Sequence, residues 1–182
     1  MSKLAFTTFS VFPEPKEHPS HATFWEQGLL VFSQLKSSSG FKDAAAFLDD
    51  RIVVMSSEKN RSRWGEGVNP KFVGTSLDIS GLPSALTLSI WESIEAVKSF
   101  TYSGAHDTAL HRRKEWFVSP QWPNYAMWWI DDETQPTFAA ASERLETLHT
   151  QGSTSFAFDF KRPFSRDVVI DDTAEVKKGR LV

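Results

Sequence analysis

The chain contains no cysteine. That excludes disulfides, thiolate nucleophiles and Cys-ligated zinc or iron–sulfur sites, and it fits a reducing compartment. No apolar run approaches the ~18 residues that a membrane span needs. Met1, Ser2, Lys3 and Leu4 lead into alternating Thr and Phe rather than a continuous apolar region, so no signal peptide is expected and the cytoplasm is the expected location. No sign of charge dominates: 20 Lys and Arg against 23 Asp and Glu give a net charge of −3. The one basic run, His111, Arg112, Arg113 and Lys114, is short, so no nucleic-acid partner is expected. Gly65-Glu66-Gly67 lacks the Lys-Ser/Thr of a phosphate loop, and neither G-x-S-x-G nor H-E-x-x-H occurs. Nucleotide, serine-hydrolase and zinc-protease chemistries are set aside on those grounds.

What is abundant is aromatic: seven Trp and fifteen Phe in 182 residues, concentrated where ionisable residues also fall. Trp91 runs into Tyr102, His106, Arg113, Trp116 and Phe117, and Trp128 and Trp129 sit on the next apolar run. Aromatic walls around a few polar groups suit a hydrophobic small molecule.

The length allows one domain with a genuine core. Residues 4–12 read as a strand, and Pro13, Pro15 and Pro19 as an extended loop. Ser20 is the expected N-cap of a helix over residues 21–36, with Phe24, Gly28, Val31, Phe32 and Leu35 as its apolar stripe. Residues 41–48 are either a strand, turning at Asp49 and Asp50 into a second strand over 51–56, or a helix built on Ala44, Ala45 and Ala46. The polar, glycine-containing residues 57–81 read as a surface loop or lid that brings Trp64 to the pocket mouth.

Residues 85–91 alternate, with Leu86, Leu88 and Ile90 on one side and Thr87, Ser89 and Trp91 on the other, which is a strand pattern. A helical region follows over residues 93–117, broken near Ser103 and Gly104. Residues 124–130 form the next strand, and Thr137 caps a helix whose core positions are Phe138, Ala141, Leu145 and Leu148 and which stops at Gly152. Phe156, Phe158 and Phe160 alternate as a last strand.

This order predicts an α+β fold: an antiparallel sheet with helices on one face, whose other face, carrying Thr, Ser and Trp, meets a partner chain. Residues 1–164 form the domain, and residues 165–182 form a charged tail.

Several segments resemble a domain-of-unknown-function family of bacteria and fungi. They are Leu4-Ala5, Pro19 with Phe24, Ser39-Gly40-Phe41, Leu88-Ser89-Ile90-Trp91-Glu92-Ser93, Phe100-Thr101-Tyr102-Ser103-Gly104-Ala105-His106 and Arg112-Arg113-Lys114-Glu115-Trp116-Phe117. The resemblance continues through Trp128-Trp129, Pro136-Thr137, Arg144-Leu145-Glu146, Phe156-Ala157-Phe158-Asp159-Phe160 and Arg162-Pro163-Phe164, so that it covers residues 3–164. The departure is an insertion within residues 41–80. That family is placed in the dimeric α/β-barrel, ferredoxin-like superfamily. The resemblance therefore implies a homodimer of paired sheets with a cleft between helices and sheet in each subunit. Relatives in the superfamily include cofactor-free antibiotic-biosynthesis monooxygenases, polyketide cyclases, isomerases and haem-binding or haem-degrading proteins. Fold alone does not choose among them.

On a helical wheel His106 and Arg113 share an arc of about 140° with Tyr102, Ala105, Ala109, Leu110, Trp116 and Phe117, whereas His111 and Lys114 lie on the wet side. His106 is the candidate general acid/base, Arg113 the candidate stabiliser of a developing oxyanion, and Tyr102 and Trp91 a hydrogen bond and a stacking wall. Leu110, Trp116, Phe117, Trp128 and Trp64 complete the expected substrate wall, and no metal site is expected. The competing reading makes Arg113 a core ion-pair partner of Glu92 and His106 a packed core histidine. His18 and His21, with Glu17 and Glu26 nearby, read as a solvated helix start rather than a metal site.

The function these residues suggest is a cofactor-independent enzyme on a hydrophobic, aromatic or polycyclic metabolite, working by isomerisation, cyclisation or carbanion oxygenation. The alternatives are a haem protein with His106 or His111 as axial ligand, and a non-catalytic carrier of a hydrophobic ligand.

Overall fold

A computed structural model describes residues 2–48, 51–55, 61–74 and 81–166. Five strands, β1 (Lys3–Val11), β2 (Phe41–Leu48), β3 (Arg51–Val54), β4 (Ser84–Trp91) and β5 (Tyr125–Ile130), form one sheet in the order β3-β2-β4-β1-β5. Every neighbouring pair is antiparallel. Residues 41–48 are therefore the strand of the two alternatives, pairing Leu48 with Arg51 across Asp49 and Asp50, which lie outside the described residues. Among the described residues no helix is long and apolar enough to cross a membrane.

Register divides the side chains between two faces. Leu4 pairs with Trp91 and with Trp129, whereas Ala5 pairs with Ile90 and with Trp128. On the first face Leu4, Phe6, Ala44, Ala46, Trp91 and Met127 pack under three helices: α1 (Pro19–Ser37), α2 (Ile94–Thr101) and α3 (Gly104–Arg112). On the second face Ala5, Phe9, Ala45, Leu88 and Trp128 pack under α4 (Phe138–Gln151), through Phe138, Ala141, Leu145 and Leu148.

The expectation of helices on one face is thus corrected. The four apolar positions of α4 need a wall, and the side of the sheet left open by α1–α3 supplies it. The side carrying Thr87, Ser89 and Trp91, expected to meet a partner chain, lies instead under α1–α3. Its polar groups are satisfied internally: Ser89 Oγ donates to the Phe6 carbonyl at 3.2 Å and Trp91 Nε1 donates to Ser89 Oγ at 2.8 Å.

Within residues 57–81, expected as a lid, the described residues 61–74 lie on the second face, away from a cavity mouth on the first. They make two 3₁₀ turns, Arg61–Trp64 and Lys71–Gly74. Trp64 is fully buried there beside Phe138, Phe72 stacks on Trp122 at 5.7 Å, and the Lys71 amide donates to Glu146 at 2.8 Å.

Two local readings also change. His18, not Ser20, caps α1: its Nδ1 accepts from the Ser20 amide at 3.3 Å because Pro19 takes the first helical position. Residues 154–160 are not a strand, for only Phe158 bridges, exchanging bonds of 2.8 and 2.9 Å with Met127. Asp159 then curls the chain away, its Oδ1 accepting the amides of Lys161 and Arg162 at 2.9 Å each. The tail expected at residues 165–182 lies almost wholly outside the described residues.

Candidate functional site

Between the first sheet face and α1–α3 lies a cavity of about 500 Å³, a volume typical of small-molecule sites. Its floor is the alternation of the strands: Phe6, Thr8 and Ser10 of β1, Thr87 of β4 and Tyr125 of β5. Thr8 and Thr87 pair through their hydroxyls at 2.6 Å, which satisfies two of the polar side chains on this floor. One wall is α1, with Phe24, Gln27, Gly28 and Val31. A Cβ placed on Gly28 meets nothing within 4 Å, so this residue widens the cavity.

The opposite wall is the α2–α3 corner, and it is held by α1. Gln34 of α1 donates to the carbonyls of Ser103 and Phe100 at 3.0 and 3.3 Å and accepts the His106 amide at 3.0 Å. Gln27 donates to the Ala105 carbonyl at 2.7 Å. The corner turns at Gly104, whose φ of +54° suits glycine and whose missing Cβ leaves room for the Gln34 carboxamide, 3.0 Å from where that atom would stand.

This corner presents His106 to the cavity. Its Nδ1 lies 3.0 Å from the Thr101 carbonyl, and its ring packs 4.6 Å from Phe100. Burial holds the His106 pKa below the ordinary 6.5, against the opposing pull of the Thr101 carbonyl and of Asp107. Tyr125 faces the same space. Its Oη accepts the Phe160 amide at 3.3 Å, and burial raises its pKa, so the phenol keeps its proton at neutral pH.

The whole of this architecture falls within one family. Residues 3–173 match the model of a domain of unknown function, DUF3291. The chain belongs to that family. No curated protein matches it. Among solved structures, a protein of unknown function from Nitrosomonas europaea, NE2512, is similar at 10% identity and a TM-score of 0.40, covering 74% of this chain and 92% of that one.

In this DUF3291 domain the cavity gathers His106, Arg113, Tyr102, Leu110, Trp116 and Phe117, as expected from the helical arc. Trp116 anchors the rim by donating to Thr23 Oγ1 at 2.9 Å. Arg113, however, is exposed at the mouth, and its Nη1 donates to the Leu110 carbonyl at 2.5 Å. A core ion pair with Glu92 is ruled out, because Glu92 is also exposed and pairs with Lys42.

Three expected wall residues lie elsewhere. Trp91 is fully buried beneath α2 against Phe41 and Phe100, while Trp128 and Trp64 lie on the opposite side of the sheet. Trp129, not Trp128, shares the cavity's side of the sheet, but it is tied to the Phe164 carbonyl at 2.9 Å. His111 is exposed and off the cavity, bonded to the Asp107 carbonyl at 2.8 Å. His18 is the α1 cap, and His21 stacks on Phe12 at 4.3 Å. No group of three or more His, Asp or Glu is gathered for a metal among the described residues.

Tyr125, Thr8, Thr87 and Gln27 were missed in the sequence. A signal for them existed: Phe6, Thr8 and Ser10 alternate with Thr87 and Ser89 across a pair of strands, which marks a polar strip on one sheet face.

Proposed function

We propose that this domain is a cofactor-independent enzyme that takes a proton from an apolar, aromatic or polycyclic metabolite, leading to isomerisation, cyclisation or reaction of the carbanion with dioxygen. The observation that carries the reading is the His106 ring in the wall of the apolar cavity, with Nδ1 bonded to the Thr101 carbonyl. A carbonyl only accepts, so the ring proton stays on Nδ1 and Nε2 offers its lone pair. A histidine held neutral by burial is a base at neutral pH. The Tyr125 phenol, kept protonated, supplies the proton or hydrogen bond that an enol or phenol oxygen needs, and Arg113 stabilises negative charge near the mouth. Aromatic walls exclude water and strengthen these effects.

The strand order β5-β1-β4-β2, with α1 between β1 and β2 and α2–α3 between β4 and β5, supports a ferredoxin-like core, with β3 added at one edge. The barrel-type homodimer across the second sheet face has α4 and Trp64 in its way, so a homodimer of this chain uses another surface. We place its work in the cytoplasm, on small molecules.

The test is proton exchange. Aromatic ketones and phenols that bind are incubated in D2O, and deuterium uptake is read by mass spectrometry. Uptake with the wild type and its loss in His106→Gln support the acid/base reading; binders that never exchange overturn it.

Haem is the second reading, favoured by the same tautomer. A histidine whose Nδ1–H is held by a carbonyl presents Nε2 as an axial ligand. Bound haem would supply redox chemistry, and His106 rather than His111 would hold it. A Soret band that disappears in His106→Gln selects this reading. A carrier is distinguished by binding without turnover.

A further inference from the structure

Among the described residues no aspartate or glutamate lines the cavity, and Arg113 and Lys114 are the only permanent charges in its wall. Composition does not explain this, since acids outnumber bases in the chain, 23 to 20. Three nearby acids are engaged elsewhere. Glu115 takes a forked pair from Arg112 at 2.8–3.1 Å, Glu92 pairs with Lys42, and Asp107 faces His111 at 3.7 Å. Arg113 and Lys114 are exposed, and neither has an acidic partner among the described residues. The bond from Arg113 Nη1 to the Leu110 carbonyl uses one of five guanidinium N–H groups and orients the rest.

Cations at the mouth of an apolar cavity, with no acid among its described lining residues, have one chemical complement.

We infer that the substrate of the site proposed above is an apolar acid: a ring or chain body that fills the cavity, with a carboxylate held at the mouth by Arg113 and Lys114. A carboxylate matches the planar fork of arginine. A neutral lipid gains nothing from these two cations. The mouth is built from the C-terminal end of α3, whose dipole opposes a doubly charged phosphate ester more than a singly charged carboxylate.

The experiment uses calorimetry on the whole chain with biphenylcarboxylate and its uncharged amide, biphenylcarboxamide, which share the same rings. The acid is expected to bind about tenfold more tightly or better, as one or two charge-assisted bonds imply. Added salt should narrow that preference. Arg113→Ala with Lys114→Ala, both surface changes, should erase it while leaving amide binding intact, and His106→Gln should keep it. Equal affinity for acid and amide, a preference that survives the double variant, or no binding of either probe would overturn the inference. The outcomes separate from those of the acid/base reading. A charge preference without deuterium exchange sinks the chemistry and leaves the substrate class standing, and exchange without a preference does the reverse.

Discussion

His106 Nδ1 lies 3.0 Å from the carbonyl oxygen of Thr101, the last residue of α2. That carbonyl is among those a helix leaves without an internal partner, so the imidazole completes the helix end while the helix end fixes the imidazole tautomer. A helix C-terminus favours a charged histidine, but burial is the largest influence on this ring and holds it neutral.

A pH dependence follows. In the unfolded chain His106 titrates near 6.5, and in the folded protein it titrates lower. As pH falls through 6.5 the unfolded state takes up a proton that the folded state refuses, so stability declines until the folded pKa is passed. His106→Gln should flatten that decline in urea midpoints measured between pH 7.5 and pH 4.5 (about the acid limit of the histidine range). The acid limb of any proton-exchange activity should likewise lie below 6.5. An unchanged stability slope in the variant would show that the ring does not titrate as the burial implies.

Tyr125→Phe removes the one phenol fixed from the floor. Turnover should drop by about 10²-fold, the lower range for a lost proton donor. Stability should fall by only about 1 kcal/mol, the worth of the bond from the Phe160 amide. Comparing exchange rates with melting curves checks both, and a fully active variant removes Tyr125 from the chemistry.

The cavity's helical side was legible in the sequence because it rests on local periodicity. His106, Leu110, Arg113 and Phe117 follow one stripe, and the helix break at Gly104 announces itself. What periodicity does not encode is which sheet face a stripe covers. The core positions of α4 were legible, but their placement against Trp128, opposite the cavity, depends on long-range pairing. Trp64 was misread for a related reason: its neighbours are polar and glycine-containing, and only Phe138 and the second face make it core. Phe156, Phe158 and Phe160 mimic a strand, but only Phe158 bridges to β5, at Met127, before the turn at Asp159 takes the chain away.

Trp64→Ala should therefore behave as a core deletion. A fully buried Trp truncated to Ala costs about 3–5 kcal/mol. Affinity of the remaining folded protein for an apolar ligand should be unchanged, because Trp64 and the cavity lie on opposite sides of the sheet. Trp116→Ala, in the cavity rim, should lower stability and affinity together. Denaturation midpoints and binding isotherms on both variants decide it; weakened binding in a stable Trp64→Ala protein would restore the lid.

Arg144 poses the opposite kind of test. Its guanidinium stands 3.2 Å from the centre of the Phe156 ring and 5.5 Å from that of Trp128, while Nε and Nη1 are buried with no hydrogen-bond partner among the described residues. Burial lowers its pKa from the usual guanidinium range to about 10. Between those values the unfolded state holds more protons, so stability rises with pH across that window. Below it both states are charged, and the folded protein bears the full cost of the buried cation. Arg144→Met keeps an unbranched apolar stem between the two rings and removes both the charge and the unmatched donors, so the urea midpoint at pH 7 should rise. Arg144→Ala forfeits the packing as well and should lower it. If Met destabilises as much as Ala, the attraction of the cation for the two rings outweighs its desolvation, and Arg144 is then held in place by Trp128 and Phe156 rather than merely tolerated between them.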